Sequence, residues 1–373
     1  MVQIPKQHGP RPTGGQRPGV PAAAPLAEAA PAPALPRAPA PVVRPAPTSA
    51  DVARLAGVSR ATVSYVLNNT STMRISEPTR RRVRAAAEEL GYVPHAAARS
   101  LRAGHSRLVL MPSSNVPLSP FYGNFLSDLQ AALGRLEYTV VQYGGLGRTG
   151  DAAARAWAEL RPVAVLAPSG AGLGPGGVSV LKRSGARAVL TLGPERVDGA
   201  HALLTDHSLV GQCAAGHLLA RGRRRIGVVV PAEPGLEVFS RPIAQGMRLA
   251  AEDTGAEIRE VPLAHTEEAA SGLARRWSAL GLDAVFTYND EYAMLLMRAL
   301  QDEGVSVPGD TAVMGADDLM LCRLLRPRLS TVRIGLPSGR ALAELVDRLV
   351  RTPGTRAEAH DLLAATAVQR EST

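Results

Sequence analysis

The sequence predicts an all-α helix-turn-helix head followed by an α/β core of two doubly wound parallel-sheet lobes. Three observations lead there. Short amphipathic segments with turn and capping residues run from Thr48 to Gly91. From His105 onward, buried strand patterns alternate with amphipathic helix patterns, and that alternation restarts near Arg223.

In the head, Thr48 and Asp51 form an approximate capping box, and Val52, Leu55 and Ala56 fall on one helical face. Gly57 can take positive φ in a tight turn, Val58 can bury beneath it, and Ser59 can cap a second helix that turns Val63, Val66 and Leu67 inward. This leaves Arg60, Ala61, Thr62, Ser64 and Tyr65 outward, a mix of guanidinium, hydroxyls and one aromatic that suits a DNA groove. A third helix starts near Glu77 behind Ser76, with Val83, Ala86, Ala87 and Leu90 inward and Gly91 past its end.

A small bundle of this kind could also dock a protein, and charge argues for DNA. Between Thr48 and Gly104 nine arginines stand against four acidic residues, a balance of +5, with Arg80, Arg81, Arg82 and Arg84 on the third helix. Phosphate neutralisation dominates duplex affinity. Residues 1–47 add five basic and one acidic side chain, or +4, so the whole excess of +9 lies ahead of the core.

The segment from Gly91 to Gly104 reads GYVPHAAARSLRAG; Pro94 ends what precedes it, and His95 to Arg102 is almost all good helix former, with Leu101 as the one large apolar residue of that run, between Arg99 and Arg102. Alone it is too short to be a stable helix. Folded on DNA, it would offer Leu101 as a minor-groove wedge with Arg99 on the backbone beside it. Without the head, a linker whose leucine packs on a neighbouring domain is the simpler reading.

The runs DVARLAGVSRATVSYVLNN and RISEPTRRRVRAAAEELGYVPHAAARSL resemble the head and hinge of the lactose-repressor (LacI/GalR) family of bacterial transcription regulators, and the ending AVQREST resembles the family's usual ending. The resemblance implies that Arg60, Ala61 and Tyr65 read base edges, that Ser59, Thr62, Ser64 and Asn68 touch the DNA backbone, and that Leu101 is the hinge wedge. It also implies a periplasmic-binding-protein-like core whose chain crosses between lobes near Ala220, near Thr331 and before the last strand. The expected organisation is a tail over 1–47, a head over 48–93 and a hinge over 94–104. One lobe is expected over 105–220 and 332–352, the other over 221–331 and 353–373. His95 departs from the asparagine usual after the hinge proline, and the loop from Asn69 to Ile75 is slightly longer than in many members.

The tail holds 13 of the chain's 30 prolines and lacks hydrophobic periodicity, so it reads as disordered or partly polyproline II. No apolar run of signal-peptide or transmembrane length occurs, which predicts a cytoplasmic protein without a membrane partner. Cys213 and Cys322 have no metal-site spacing and fit a reducing compartment.

Ligands in doubly wound sheets bind outside the carboxyl ends of strands. That rule nominates Ser113 to Asn115, Ser169, Asp206, Asn289, Asp290, Asp317 and Asp318, whose amides and carboxylates can accept from hydroxyl groups. Helix capping is the competing role for such post-strand acids. The resemblance raises Asp206, Asn289 and Asp317, together with Phe121 and Tyr122, as effector-binding residues. It also marks a departure: Ile243 stands where the family often has an effector-gripping arginine, with Arg241 nearby as a substitute. The segment from Ile258 to Glu267 lacks the aromatic platform of several sugar-binding members.

GLGPGG, from Gly172 to Gly177, is a poor dinucleotide fingerprint and reads as a flexible loop. Asp317 and Asp318 have no activated nucleophile or histidine cluster nearby in the sequence. The expectation is a non-enzymatic regulator, a repressor, without cofactor or metal. It would bind a palindromic double-stranded operator as a homodimer under control of a small-molecule effector, with a sugar or sugar derivative as the candidate class. A regulator with a degenerate effector site is the alternative; below it rank a solute-binding protein, which would need export, and an α/β enzyme with an added head.

Overall fold

A computed structural model of the 373-residue chain describes residues 46–67, 74–93, 106–113, 119–144, 147–168 and 171–373. The tail through residue 45, the hinge at 94–104 with Arg99 and Leu101, Asn68, Ser114, Asn115 and Ser169 lie outside the described residues. The chain divides into two compact units, Met1–Tyr92 and Val93–Thr373.

The first unit contains α1 (Ser49–Ala56), α2 (Arg60–Leu67) and α3 (Glu77–Glu89). Thr48 donates to the Asp51 carboxylate from its backbone nitrogen at 2.9 Å and its hydroxyl at 2.7 Å, which fixes the start of α1. Gly57 ends that helix at φ 62°, a conformation open to glycine without Cβ strain. Val52, Val63, Val66 and Val83 are buried together with Ala53, Ala56, Ala86 and Ala87. Leu55, expected inward, is 47% exposed, and Ala53 takes the inner position instead.

The second unit holds two six-stranded sheets. The first lobe is built from β1 (Leu108–Pro112), α4 (Pro120–Arg135), β2 (Thr139–Tyr143), α5 (Gly150–Glu159), β3 (Ala164–Pro168), α6 (Pro175–Arg183), β4 (Ala188–Gly193) and β5 (His201–Leu204). The second lobe contains α7 (Ser208–Ala220), β6 (Arg225–Pro231), α8 (Glu237–Ala251), β7 (Glu257–Leu263), α9 (Glu267–Ala274), α10 (Trp277–Leu280), β8 (Ala284–Phe286), α11 (Asp290–Asp302), β9 (Ala312–Ala316) and β10 (Ser330–Gly335). The chain then returns to the first lobe for α12 (Gly339–Arg351), packed on α4, and for β11 (Ala359–Asp361), and ends in the second with β12 (Ala364–Val368).

The sheet orders are β11-β5-β4-β3-β1-β2 and β12-β10-β9-β8-β6-β7. All pairings are parallel except that of β10 with β12. The strands are short apolar runs because both faces are covered: β4 reads AVLTLG and is buried at five of six positions.

The crossings between lobes fall at different residues from those expected. The first lies ahead of Ser208, because α7 packs on α8, β10 and β12 of the second lobe. The second follows Gly335, since β10 belongs wholly to the second sheet, and β11 adds to the first sheet where the sequence reading placed 353–373 in the second lobe. Helix α7 is apolar nearly all round, so its pattern names no partner face. Its partner is chosen by glycine. A Cβ on Gly211 would stand 1.9 Å from the Ile243 carbonyl oxygen, and one on Gly246 would stand 2.0 Å from that of Ser208.

Helix α8 carries Pro242 within its length, where the bond to the Val238 carbonyl is lost. One further local reading changes. The run GLGPGG is half helical: Gly174 is the N-cap of α6 and Pro175 opens its first turn.

Gly246→Ala should destabilise the protein by about 2–3 kcal/mol, since neither helix backbone can yield without repacking the second lobe. Urea denaturation measures this, and an unchanged midpoint would contradict the backbone contact.

Candidate functional site

The outer face of α2 is set by what α2 buries. Val63 and Val66 point into the head core at 1% exposure each, which turns Arg60 and Ala61 to solvent and leaves Thr62, Ser64 and Tyr65 half-buried along the same side. Ser59 Oγ accepts from Thr62 N at 3.1 Å and lies 2.9 Å from Thr62 Oγ1. This cap fixes the first turn of α2. Helix α3 exposes Arg81, Arg82 and Arg84, whereas Arg80 turns back to donate from Nε to the Ile75 carbonyl at 3.4 Å. The face thus combines donors, hydroxyls and an aromatic on a rigid helix with cations on a second one.

In the second unit, the carboxyl ends of β1, β3, β4 and β5 border a cavity of ≈ 170 Å³ between the first sheet and helices α4 and α12. Val238 and Phe239, from the first turn of α8 in the opposite lobe, cover its mouth. Its walls are chiefly aliphatic and aromatic, among them Phe125, Leu126, Leu166, Leu192, Leu203 and Leu342, and none of its lining residues is acidic, lysine or arginine.

One wall is a hydrogen-bonded pair. Tyr122 hydroxyl lies 2.8 Å from His207 Nε2, and His207 Nδ1 lies 3.1 Å from the Thr205 carbonyl. A carbonyl only accepts, so Nδ1 carries the proton, Nε2 is bare, and Tyr122 donates to it. Burial lowers the His207 pKa to about 4, which keeps the ring neutral. Burial pushes the Tyr122 phenol upward, and the nearby Asp317 adds to the shift. Phe239 meets the His207 ring edge to face with centroids 5.0 Å apart, and Phe121 meets Tyr122 likewise at 5.2 Å.

Beyond this wall lies a water-sized recess of ≈ 20 Å³ bordered by Ser119, Tyr288, Asn289, Asp317 and Ile243. Asp317 is 7% exposed, and its Oδ2 has no hydrogen-bond partner among the described residues. Burial, reinforced by the charge of Asp290, raises its pKa to about 8. Its backbone is also strained: Asp317 and Asp318 have φ of 103° and 57°, the left-handed region, which costs a non-glycine residue roughly 1–3 kcal/mol.

The surroundings hold that turn in place. Asp318 Oδ2 pairs with Arg333 at 2.8 Å and its Oδ1 accepts from Arg370. Asp290, fully buried, accepts from Thr331 Oγ1 at 2.6 Å and Leu319 N at 2.8 Å. The C-terminal residues contribute directly: Ser372 Oγ donates to the Val313 carbonyl at 2.6 Å and accepts from Ser330 N at 2.8 Å.

The residues nominated from sequence therefore divide. Tyr122 borders the cavity, Asn289 and Asp317 border the recess, and Phe121 supports Tyr122 from the side. Asn289 also caps α11 by accepting from Tyr292 N at 3.1 Å. Arg241 is exposed and borders an adjoining outer recess of ≈ 540 Å³ with Glu195 and Glu237, which shares Pro168, Leu192 and Val238 with the cavity. Asp206 is exposed, borders none of these spaces and accepts from Ser208 N at 2.9 Å at the start of α7, and Asp290 and Asp318 are occupied in holding the β9 turn. Ile243 is buried in the second-lobe core, so the cleft has no cation at that position. His207, Phe239 and Tyr288 escaped the sequence reading. The available signal was scarcity: three of only four phenylalanines, 121, 125 and 239, gather here.

Among the described residues no group of three or more metal-capable side chains occurs, and no helix is long and apolar enough to cross a membrane. A three-helix head with an open recognition face, joined in one chain to a two-lobed α/β core with an interlobe cavity, defines a ligand-responsive DNA-binding class. Residues 48–95 match the description "Bacterial regulatory proteins, lacI family", and residues 215–373 match "Periplasmic binding protein-like domain". The chain is 30% identical over 305 residues to the HTH-type transcriptional regulator GalR of Escherichia coli (strain K12), covering 77% of this chain and 84% of that protein. A solved transcriptional regulator CelR–cellobiose complex is 25% identical with a TM-score of 0.56, covering 88% of this chain and 100% of that one. The lac repressor dimer bound to operator and the anti-inducer ONPF is similar in fold, with 24% identity, a TM-score of 0.69, and coverage of 87% and 98%. The chain belongs to the lacI family of bacterial regulatory proteins, and it is a DNA-binding transcriptional regulator, not an enzyme.

Asp317 makes stability depend on pH. Its folded pKa lies above that of the unfolded chain, so its contribution is complete below about pH 4 and is lost as pH rises toward about 8. Asp317→Asn should remove this loss, so the variant gains stability relative to the parent across that interval. Urea midpoints measured at pH 5 and pH 8 check this; an equal difference between the two proteins at both pH values would contradict it.

Proposed function

We propose that the chain represses transcription as a homodimer, placing the α2 helices of two heads in successive major grooves of a roughly palindromic operator. Arg60, Ala61 and Tyr65 read base edges, while Ser59, Thr62, Ser64 and Asn68 contact the backbone. The observation that carries this reading is the outward side of α2, where the capping Ser59 and buried Val63 and Val66 turn Arg60 and Ala61 to solvent. Residues 94–104 form the hinge, with Leu101 as the minor-groove wedge and Arg99 beside it.

The core is the effector-binding and dimerising part, and the effector occupies the interlobe cavity, with Tyr122 on its border and Asp317 in the recess beyond. Phe121 and Asn289 support those two residues, Arg241 serves the outer rim, and Asp206 acts through the start of α7. A ligand that closes the lobes biases DNA affinity only by the difference between its affinities for the two states. Met320, Leu321 and Leu324 favour dimerisation through the second lobe, being exposed at 72%, 48% and 64% on one short segment. The protein works in the cytoplasm, where its DNA lies.

Arg60→Ala should weaken operator binding by ~1–3 kcal/mol and relax preference at one base pair in each half-site. A panel of operator variants tests this, and an unaltered preference would reject Arg60 as a base reader. Replacing Met320 and Leu324 together by aspartate should shift the dimer to monomer in sedimentation; an unchanged dimer would move the interface elsewhere.

A further inference from the structure

We infer that the interlobe cavity takes a compact, mainly apolar ring molecule carrying a single hydroxyl, in place of a polyhydroxylated sugar. The inference rests on the reading that this cavity is the regulatory site, and narrows its ligand to one chemical class.

Size and lining come first. An apolar cavity of about 150 Å³ accommodates a benzene ring, and this one measures ≈ 170 Å³. Leucines approach it from strands and helices together: Leu166, Leu192 and Leu203 from the sheet, Leu126 and Leu129 from α4, and Leu342 from α12. A polyol would have to desolvate four or five hydroxyls against these walls, each needing a partner to offset the loss of water. Among the described residues, polar side chains on the border are few: Ser113, Gln142 and Thr205, plus the mutually bonded Tyr122 and His207. Among the same residues no carboxylate, lysine or arginine lines the cavity to offer an ionic ligand a counter-charge.

The fixed pair defines a polar contact of known direction. His207 Nδ1 is committed to the Thr205 carbonyl, so Nε2 takes the Tyr122 proton. Tyr122 Oη then has accepting capacity and no proton to offer the ligand. It selects a donor, and a hydroxyl on an apolar ring meets that requirement while the ring fills the leucine-lined space. Ile243 fits the same chemistry, because a buried aliphatic group at the inner end of the cleft disfavours a densely hydroxylated ligand.

The test uses the full-length dimer and four probes in ligand-observed NMR and calorimetry: phenol, cyclohexanol, D-ribose and D-galactose, with benzene as the hydroxyl-free reference. Phenol and cyclohexanol should bind at least tenfold more tightly than either sugar. Tyr122→Phe should reduce the advantage of phenol over benzene roughly three- to tenfold while benzene still binds. Leu192→Trp, which fills the space from β4, and Leu126→Trp, which fills it from α4, should each abolish binding of both aromatic probes, with circular dichroism verifying the fold. Stronger binding of a sugar, aromatic binding insensitive to both tryptophan variants, or no binding of any probe would overturn the inference. DNA affinity is read separately. Phenol binding without any change in DNA affinity upholds the ligand class while the regulatory reading fails; a sugar that binds more tightly and changes DNA affinity preserves the regulatory reading and overturns the ligand class.

Discussion

The contact of α7 with α8 at Gly211 and Gly246 governs the geometry of the core cleft. With no side chain at either position, the two helix backbones approach as closely as carbonyl oxygens permit. That crossing decides where both helices begin. His207 immediately precedes α7 and Phe239 lies in the first turn of α8, so their ring contact and the roof over the first-lobe cavity follow from it. Ile243, one turn further along α8, is carried into the second-lobe core by the same approach. The departure from the family's arginine is therefore accommodated by packing.

On the opposite side of the cleft, strain and charge are concentrated in one turn. Asp317 and Asp318 are adjacent, yet their carboxyl groups experience opposite environments. The latter is held between Arg333 and Arg370, while the former faces a small recess in which no lysine or arginine stands among the described residues. The arginine pair and the Asp290 hydrogen bonds stabilise a backbone conformation that Asp317 would not adopt alone. The last residues of the chain take part in this support, which gives a physical reason for the family-like ending: Arg370 clamps the turn, and Ser372 ties β9 to the start of β10.

Much of the head was legible because its signals are local. Asp51, Gly57 and Ser59 act within a few residues of themselves, and the valines on α2 and α3 follow helical period. Leu55 was misplaced because helical period gives only an approximate face on so short a helix, and the buried stripe runs through Val52, Ala53 and Ala56 instead. In the core, strand and helix alternation was readable from short apolar runs, whereas the crossings were not. Helix α7 has no polar face to orient it, and its partner is specified by a glycine 35 residues away, since 246 minus 211 is 35. Among the site residues, Asn289 and Asp317 were accessible through the rule for strand ends, and Tyr122 through the family resemblance. Phe239 and His207 were not, because their meeting depends on the helix crossing and leaves no mark in local sequence.

These features describe a chain in which the helix proposed to read bases and the apolar cavity occupy separate compact units. The central claim is that the α2 face selects particular DNA sequences. The most direct measurement is repeated selection of duplexes from a randomised pool by the full-length protein at moderate salt, followed by sequencing. The account predicts enrichment of a roughly palindromic site whose half-sites are spaced by one helical turn or a multiple of it. Recovery of the pool without any enriched sequence, from a folded dimer, would contradict it.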